Sequence, residues 1–334
     1  MDLIASFAAS FFNQLQSPTL AFLIGGMAIA AAGSKLSIPD AVYRFIIFVL
    51  LMSIGLDGGM EIRDADLAAL ALPALFAILI GCICVLLGAV TLARLPGIAR
   101  DDALATSGLF GAVSASTLAA GMVVLDEKAI PFEAWTPALY PFMDIPALVL
   151  AIVLATLHAQ KSKGADGQYG VGQIIVDSLR GSALSALILG MVIGLLAQPG
   201  QVYEEFYETL FRGFLSILML VMGMEAWSRL AALRRVAHWY MLYAFFAPIV
   251  HGLIGFALGW VAHEVVGLSP GGVVILAVIS ASNSDISGPP TLRAGIPGAN
   301  PSSYIGASTS IGTPVAIALC IPLFTTLAGV VFAQ

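Results

Sequence analysis

The polar side chains best suited to bind an ion or a small solute are concentrated in residues 278–290, V-I-S-A-S-N-S-D-I-S-G-P-P. This stretch contains four serines, Asn283 and Asp285, and it overlaps the end of the apolar run 272–279. That run is shorter than the about 20 residues that a helix needs to cross a bilayer. Its helix is therefore predicted to stop partway, where free backbone groups persist only if protein or a water-filled cavity satisfies them. Such a break is typical of a transport site.

A second stretch, residues 108–121 (G-L-F-G-A-V-S-A-S-T-L-A-A-G), repeats this pattern. V-S-A-S at 113–116 aligns with I-S-A-S at 279–282, an offset of 166 positions. We therefore predict that a small solute binds between two broken helices. The predicted substrate-binding residues are Ser114, Ala115, Ser116, Thr117, Ser280, Ala281, Ser282 and Asn283.

Carboxylates next to these stretches favour a cation site. Asp285 ends the serine stretch, and Asp144 lies between Pro141 and Pro146 inside an apolar run. A carboxylate among hydroxyls, an amide and free carbonyls is an oxygen site suited to an alkali cation. Alternatively, the two aspartates cap broken helix ends or bond each other. The predicted sodium ligands are Asp144, Asn283, Ser284 and Asp285.

Three other ionisable residues lie in apolar runs, where such groups are functional candidates. Asp57 and Glu225 occupy matching positions at the ends of predicted spans, and a structural role is favoured for both. His251 is interpreted as a hydrogen-bonded core histidine rather than a proton relay.

The basic residues narrow the class of solute. No Lys or Arg is predicted at mid-membrane depth, although a di- or tricarboxylate normally requires a guanidinium partner. A small monovalent anion needs only helix N-termini and hydroxyl or backbone donors. Moving one negative charge inward against an interior-negative potential costs about 2.3 kcal/mol per 100 mV, so a coupled Na+ is predicted.

The composition is that of a membrane protein. Of 334 residues, 59% are hydrophobic and 10% charged, whereas soluble domains carry about 25% charged residues. Membrane spans leave no room for a soluble enzyme domain, and the net charge of −6 disfavours nucleic-acid binding. The three cysteines, Cys82, Cys84 and Cys320, lie in apolar runs and are interpreted as packing residues.

The elements that must position these residues are predicted to be ten membrane-spanning helices, numbered as spans in chain order. They are at roughly 18–34, 39–57, 65–93, 101–122, 134–158, 174–197, 204–228, 235–263, 269–286 and 301–332. Four pairs of segments match between the two halves at offsets of 164 to 168 positions, including L-I-G-G-M-A-I-A at 23–30 with L-I-L-G-M-V-I-G at 187–194. Five spans per half, an odd number, make the second half enter the membrane inverted. The predicted fold is an all-α polytopic membrane protein with ten transmembrane helices in a 5+5 inverted repeat, broken at the centre. The predicted units are a first repeat at 1–159, a cytoplasmic linker at 160–172 and a second, inverted repeat at 173–334.

Lys and Arg set the predicted orientation. Odd-numbered loops carry eight of these residues and even-numbered loops with the termini at most three. The linker is therefore predicted to be cytoplasmic, with both termini on the outer, periplasmic side of the inner membrane.

Three segments resemble the sodium-dependent bicarbonate transporter family of the cyanobacterial type. They are residues 14–27 (Q-L-Q-S-P-T-L-A-F-L-I-G-G-M), the V-S-A-S stretch and residues 284–308, S-D-I-S-G-P-P-T-L-R-A-G-I-P-G-A-N-P-S-S-Y-I-G-A-S. The resemblance covers nearly the whole chain. It implies Na+-coupled bicarbonate symport, core and gate domains each drawn from both repeats, a homotrimer and a cytoplasmic PII-like regulatory partner. It also implies that bicarbonate and Na+ bind where spans four and nine meet, at 114–117 and 280–285.

Other functions remain alternatives at this point. A carrier of the same fold for another small monovalent anion or a short carboxylate is the nearest. An intramembrane enzyme with Asp144 and Asp285 as its carboxylate pair lacks a recognisable protease motif, so the chain is predicted not to be an enzyme. A channel or sensor would differ from a carrier in lacking saturable uptake that depends on an ion gradient.

Overall fold

The computed structural model describes residues 18–64, 67–163, 176, 180, 182–197, 199–233, 238–284 and 288–332. All regular secondary structure in these ranges is helical. Asp285, a predicted sodium ligand, lies outside the described residues, as does most of the predicted linker 160–172. The described part of that linker, residues 160–163, continues the preceding helix.

Thirteen α-helices of seven or more residues are numbered here in chain order among the described residues. They are α1 Pro18–Ala31, α2 Asp40–Asp64, α3 Leu67–Leu92, α4 Arg100–Gly111, α5 Ala115–Glu127, α6 Leu139–Lys163, α7 Ser182–Leu196, α8 Thr209–Leu233, α9 His238–Val266, α10 Pro270–Ala281, α11 Gly288–Gly295, α12 Pro301–Ala307 and α13 Ile321–Val331. A π-helical segment, Tyr203–Glu208, leads into α8. Between α12 and α13 the helical path continues through the π-helical turn Ser308–Gly312, the α-helical Thr313–Val315 and a second π-helical turn, Ala316–Cys320.

Seven helical stretches in the described ranges are long and apolar enough to cross a membrane. They are Asp40–Met60, Ala69–Leu92, Arg100–Glu127, Thr136–Ala159, Gly200–Ser228, His238–Val266 and Ser303–Val331. Each has at least 21 residues, which at about 1.5 Å per residue spans a hydrocarbon core of about 30 Å. The chain is therefore a multi-pass membrane protein. Three shorter apolar helices, Ala21–Ala31, Ser185–Leu196 and Pro270–Ala281, fall on predicted spans one, six and nine, so the ten-span count stays a prediction.

Two helices end inside the protein, as predicted from the polar stretches. The first break, residues 112–114, separates α4 from α5, and its Ala112 has the extended backbone angles φ −91° and ψ 167°. The second break begins where α10 ends, at Ser282, with φ −75° and ψ 175°. The whole apolar window of Arg100–Glu127 is buried, which meets the condition that irregular backbone in a membrane be covered by protein.

The first break lies where two apolar cores meet. One core includes Leu118 of α5 and Val278 of α10, and the other includes Leu109 of α4 and Ala147 of α6. Adjacent residues of the break belong to different cores, because Ala112 packs in the second and Val113 in the first. Close packing of both sides fixes the position of the polar backbone between them.

Two helix pairs, α1 with α8 and α2 with α7, approach so closely at glycines that a Cβ atom would collide with the opposite main chain. The contacts are Gly26 with Leu220 and Met224, Gly190 with Met52 and Leu56, Gly223 with Leu23 and Met27, and Gly55 with Leu187 and Met191. Offsets of 164 positions between α1 and α7 and of 168 between α2 and α8 convert each contact into another member of this set. The four helices therefore pack in a pattern that is unchanged when the halves are exchanged.

Two carboxylates connect the beginning of one helix to a loop of the other half. Asp102 of α4 accepts a hydrogen bond from the Asn300 backbone N–H at 2.6 Å, directly before α12. Glu133 accepts from the Ser269 backbone N–H at 2.7 Å and from its hydroxyl at 2.8 Å, directly before α10. Ser269 in turn caps α10 by accepting from the Gly272 N–H. These bonds fix where α10 and α12 begin.

Candidate functional site

The first break presents the N-terminus of α5. Ser114 is the N-cap, and its hydroxyl accepts from the Thr117 backbone N–H at 3.3 Å and shares a hydrogen bond of 2.8 Å with the Ser116 hydroxyl. All three residues have no exposed surface. The Thr117 hydroxyl has no hydrogen-bond partner among the described residues, although buried hydroxyls are normally paired. This break therefore holds a polar atom that a bound solute can satisfy.

The second break is also capped by serines. The Ser282 hydroxyl donates to the Ile279 carbonyl at 2.6 Å, and the Ser284 hydroxyl accepts from the Gly288 N–H at 2.8 Å, at the beginning of α11. Ser282 and Ser284 are completely buried. The last residues of α4 and α10, Gly111 and Ala281, are 170 positions apart, whereas the predicted match of the serine stretches has an offset of 166.

Two hydrogen bonds join the breaks. The Ser114 backbone N–H donates to the Ser282 hydroxyl at 3.0 Å, and the Ser284 backbone N–H donates to the Leu109 carbonyl at 2.9 Å. The expected proximity of the two serine stretches is thus confirmed. Each break uses a backbone N–H that its own helix leaves free, so the halves satisfy each other's polar groups.

Asp144 belongs to the first break. Its side chain is completely buried on α6, and Oδ1 accepts from the Val113 backbone N–H at 2.9 Å. A buried carboxylate that accepts a backbone N–H stabilises the irregular backbone at that point. This arrangement agrees with the helix-capping alternative for Asp144.

Two of the predicted substrate-binding residues lie towards α9. The Ser280 hydroxyl donates to the Leu276 carbonyl of its own helix at 2.6 Å and packs against Gly255. Ala281, the last residue of α10, packs against Gly252. Ser280 therefore lies next to the break without bonding across it.

Ala115, the first residue of α5, is buried beside Ser114.

Asn283 connects the second break to the helical segment that follows α12. One atom of its buried amide lies 2.5 Å from the Ser308 hydroxyl and 2.9 Å from the Thr313 hydroxyl. Neither Ser308 nor Thr313 is among the site residues predicted from the sequence. The available signal was the hydroxyl-rich run S-T-S-I-G-T at 308–313, an unusual composition for a membrane span.

The remaining ionisable candidates lie at different places in the fold. His251 of α9 is buried, and its Nδ1 lies 3.1 Å from the Phe110 carbonyl at the end of α4. That carbonyl is one of the unpaired groups of a helix C-terminus, so the histidine has a structural partner. Asp57 and Glu225, both half-buried, line separate cavities of about 320 and 440 Å³.

The cavity at Asp57 lies between α2, the beginning of α8 and the end of α5. Ser53, Tyr203 and Phe132 also line it. Arg212 is on the same wall and forms ion pairs of 3.9 Å with Asp126 and 3.4 Å with Glu127. More than half of the arginine side chain is exposed, so each pair contributes at most about 1 kcal/mol. The positive charge of this arginine offsets the negative charge of the neighbouring carboxylates at the cavity.

Apolar spanning helices with two buried, mutually bonded breaks define a polytopic membrane protein with discontinuous helices, an architecture typical of secondary transporters. The family model of the Na+-dependent bicarbonate transporter superfamily matches residues 18–329. The chain therefore belongs to that superfamily, whose members are transporters, and this agrees with the resemblance seen in the sequence. A comparison with curated proteins finds no match.

Proposed function

We propose that this protein couples Na+ entry to bicarbonate uptake across the cytoplasmic membrane, by alternating access to a site between the two breaks. The observation that carries the proposal is the bond from the Ser114 N–H to the Ser282 hydroxyl, which joins two helix interruptions inside a buried region. Membership in a Na+-dependent bicarbonate transporter superfamily supports the choice of both ions.

The first break supplies the anion side of the proposed site. The N-terminus of α5 carries partial positive charge, which favours an anion. Ser116 contributes a hydroxyl, and the unpaired Thr117 hydroxyl is free to donate to an oxygen of the anion. Bicarbonate is small and monovalent, so it can be held by hydroxyl and backbone donors without a guanidinium group.

The second break and α6 supply the oxygen atoms proposed for Na+. Asp144 is buried and accepts from the backbone N–H of Val113 in the first break, and the buried Asn283 and Ser284 belong to the second break. Asp285 is proposed as a fourth ligand from its place in the sequence. One Na+ that moves with one bicarbonate makes the step electroneutral, which removes a cost of about 2.3 kcal/mol per 100 mV.

We further propose a 5+5 inverted repeat of ten spans, with the closely packed α1, α2, α7 and α8 as the gate and the remaining helices as the core. The exchangeable glycine contacts between the halves support this arrangement. A homotrimer and a PII-like regulatory partner remain predictions from the resemblance. A mass measurement of the detergent-solubilised protein tests the first, and co-purification with a PII-like protein tests the second.

Uptake of labelled bicarbonate into vesicles tests the proposal, with Na+ exchanged for K+ at constant pH. We expect saturable uptake in Na+ only, and equal uptake in both salts would contradict sodium coupling. Excess unlabelled formate or acetate distinguishes the alternative substrate class, because an equal or stronger inhibition than by bicarbonate would identify a short carboxylate carrier. Asp285→Ala is expected to abolish or strongly reduce transport while leaving assembly intact.

A further inference from the structure

The helical segment after α12 contains a turn that is not α-helical. The Thr313 backbone N–H donates to the Ser308 carbonyl, five residues earlier, so Ser308–Gly312 forms a π-helical turn. Such turns are rare in helices and frequently occur at functional sites. This turn packs against α8 and the second break.

The π-helical turn determines which side chains share a face. At about 3.6 residues per turn, residues five apart in an α-helix point in directions about 140° apart. In a turn closed by bonds from residue i to residue i+5, the same two residues point in more similar directions, because the wider turn takes up the extra residue. Ser308 and Thr313 are therefore brought to one side of the helix, where both hydroxyls contact the Asn283 amide.

The surroundings of the amide determine its orientation. With its nitrogen toward the turn, the two N–H groups of the Asn283 amide face three acceptors, the Ser308 hydroxyl at 2.5 Å, the Thr313 hydroxyl at 2.9 Å and the Ser308 carbonyl at 3.2 Å. Its oxygen then accepts from the Thr313 backbone N–H at 3.3 Å. An amide oxygen has two lone pairs, so one remains for another ligand.

The two hydroxyls differ from described buried hydroxyls that bond only the backbone of their own helix. Ser280 and Thr106 donate to the carbonyl four residues earlier in their own helices, the usual bond of Ser and Thr in membrane helices. Ser308 and Thr313 instead contact a side chain of the second break, and they and Asn283 have no exposed surface. This close approach also requires glycine at position 312, because a Cβ atom there would lie 2.8 Å from the Asn283 amide.

We propose that Ser308 and Thr313 are positioning residues that hold the Asn283 amide with its oxygen available as a ligand for the co-transported Na+. Amide and carboxylate oxygens are the ligands that hard cations prefer. Rotation of the amide by half a turn would present its N–H groups to the cation instead. The inference rests on the proposed function, and it assigns transport roles to two residues beyond the serine stretches.

The test compares Thr313→Val and Ser308→Ala with Thr313→Ser in the full-length protein. The matched control is Thr106→Val, because Thr106 is equally buried and its hydroxyl bonds the backbone of its own helix. Uptake is measured as a function of Na+ at saturating bicarbonate, and as a function of bicarbonate at saturating Na+. Melting temperature in detergent, with NaCl or KCl, reports folding and Na+ binding without transport.

We expect the Na+ concentration for half-maximal uptake to rise about tenfold in Thr313→Val and in Ser308→Ala. The bicarbonate KM at saturating Na+ should change less than about twofold, because the first break is untouched. Thr313→Ser should behave as the unmodified protein, and melting temperatures in KCl should match that of Thr106→Val.

Several outcomes would overturn the inference. Na+ dependence in both hydroxyl-deletion variants equal to that of Thr106→Val would show that the hydroxyls do not position a sodium ligand. An equal rise of the bicarbonate KM at saturating Na+ would reject the assignment to the cation. Unmodified protein without Na+-dependent uptake would refute the proposed function and the inference together, whereas the first two outcomes refute only the inference.

Discussion

At the scale of single residues, hydroxyls close together in the sequence have different roles. Ser282 accepts the Ser114 N–H across the two breaks, whereas Ser280, two residues earlier, bonds the backbone of its own helix. Both serines belong to the polar stretch, so both are predicted substrate-binding residues. Their roles differ because the last residue of α10 decides which hydroxyl leaves the helical bonding pattern, and the sequence does not specify that residue.

Replacement of Ser282 by Ala should reduce transport more than replacement of Ser280. Ser282→Ala leaves the Ser114 N–H without its acceptor in a buried region, at a cost of about 1–3 kcal/mol. We expect initial uptake rates to fall at least about tenfold for Ser282→Ala, and by a smaller factor for Ser280→Ala. Rates are normalised to the protein recovered in vesicles. A larger loss of uptake for Ser280→Ala would indicate that the substrate site lies nearer to α9 than proposed.

Asp144 shows that a residue type can be predicted while its contact cannot. The sequence indicated a functional carboxylate between two prolines, and the structure places it on the Val113 N–H of the first break. The contact joins residues 31 positions apart. Hydrophobic periodicity within either segment does not indicate that Asp144 contacts Val113.

Asp144→Ala should lower the melting temperature in detergent more than Asp144→Asn does. Alanine removes the acceptor of the Val113 N–H, with an expected cost of about 1–3 kcal/mol, whereas asparagine retains a carbonyl oxygen at that position. The measurement is made without Na+, so that any loss of a bound ion does not contribute. Equal melting temperatures for the two variants would contradict the capping role.

At the scale of elements, the breaks were predictable and the π-helical turn was not. An apolar run too short for a bilayer, followed by serines, locates the end of α10 from length alone. The turn Ser308–Gly312 depends on backbone bonding that no residue pattern specifies, although it brings Ser308 and Thr313 together. Helical periodicity of 3.6 residues would place these two side chains on different faces.

The glycine contacts between helices permit a test with adjacent residues. Gly26→Ala would place a Cβ against the α8 main chain, whereas a Cβ at Gly25 meets no atom within 4 Å. We expect Gly26→Ala to reduce folded protein strongly and Gly25→Ala to leave it unchanged or raise stability by up to about 1 kcal/mol. Size-exclusion profiles and melting temperatures give the comparison. Equal behaviour would show that α1 and α8 do not pack as described.

At the scale of the whole molecule, the sequence predicted a symmetric arrangement from four short matches. The glycine contacts follow the same offsets of 164 and 168 positions, so those matches mark packed segments. The match at the serines gave an offset of 166, whereas the last residues of α4 and α10 are 170 positions apart. Short serine repeats align equally well at several offsets, and only backbone geometry shows which residues end a helix.

The distribution of basic residues predicts which side faces the cytoplasm. Lys35 lies in an exposed connection between α1 and α2, and Pro131 is exposed between α5 and α6. We expect a membrane-impermeant thiol reagent to label Pro131→Cys from the outside and Lys35→Cys only after the membrane is opened. The unmodified protein gives the background from Cys82, which is half-buried. The reverse labelling pattern would show that the predicted orientation in the membrane is wrong.

The contacts at Gly26, Gly55, Gly190 and Gly223 also limit how this protein can evolve. An added methyl group at any of them meets main-chain atoms of the opposing helix. A side-chain substitution on that helix does not remove main-chain atoms, so it cannot make room for the methyl group. Genetic suppressors of a damaging change there should therefore be true reversions, or should arise elsewhere and raise stability in general. Compensating pairs across these interfaces should be absent, in contrast to side-chain interfaces, where one partner can shrink as the other grows.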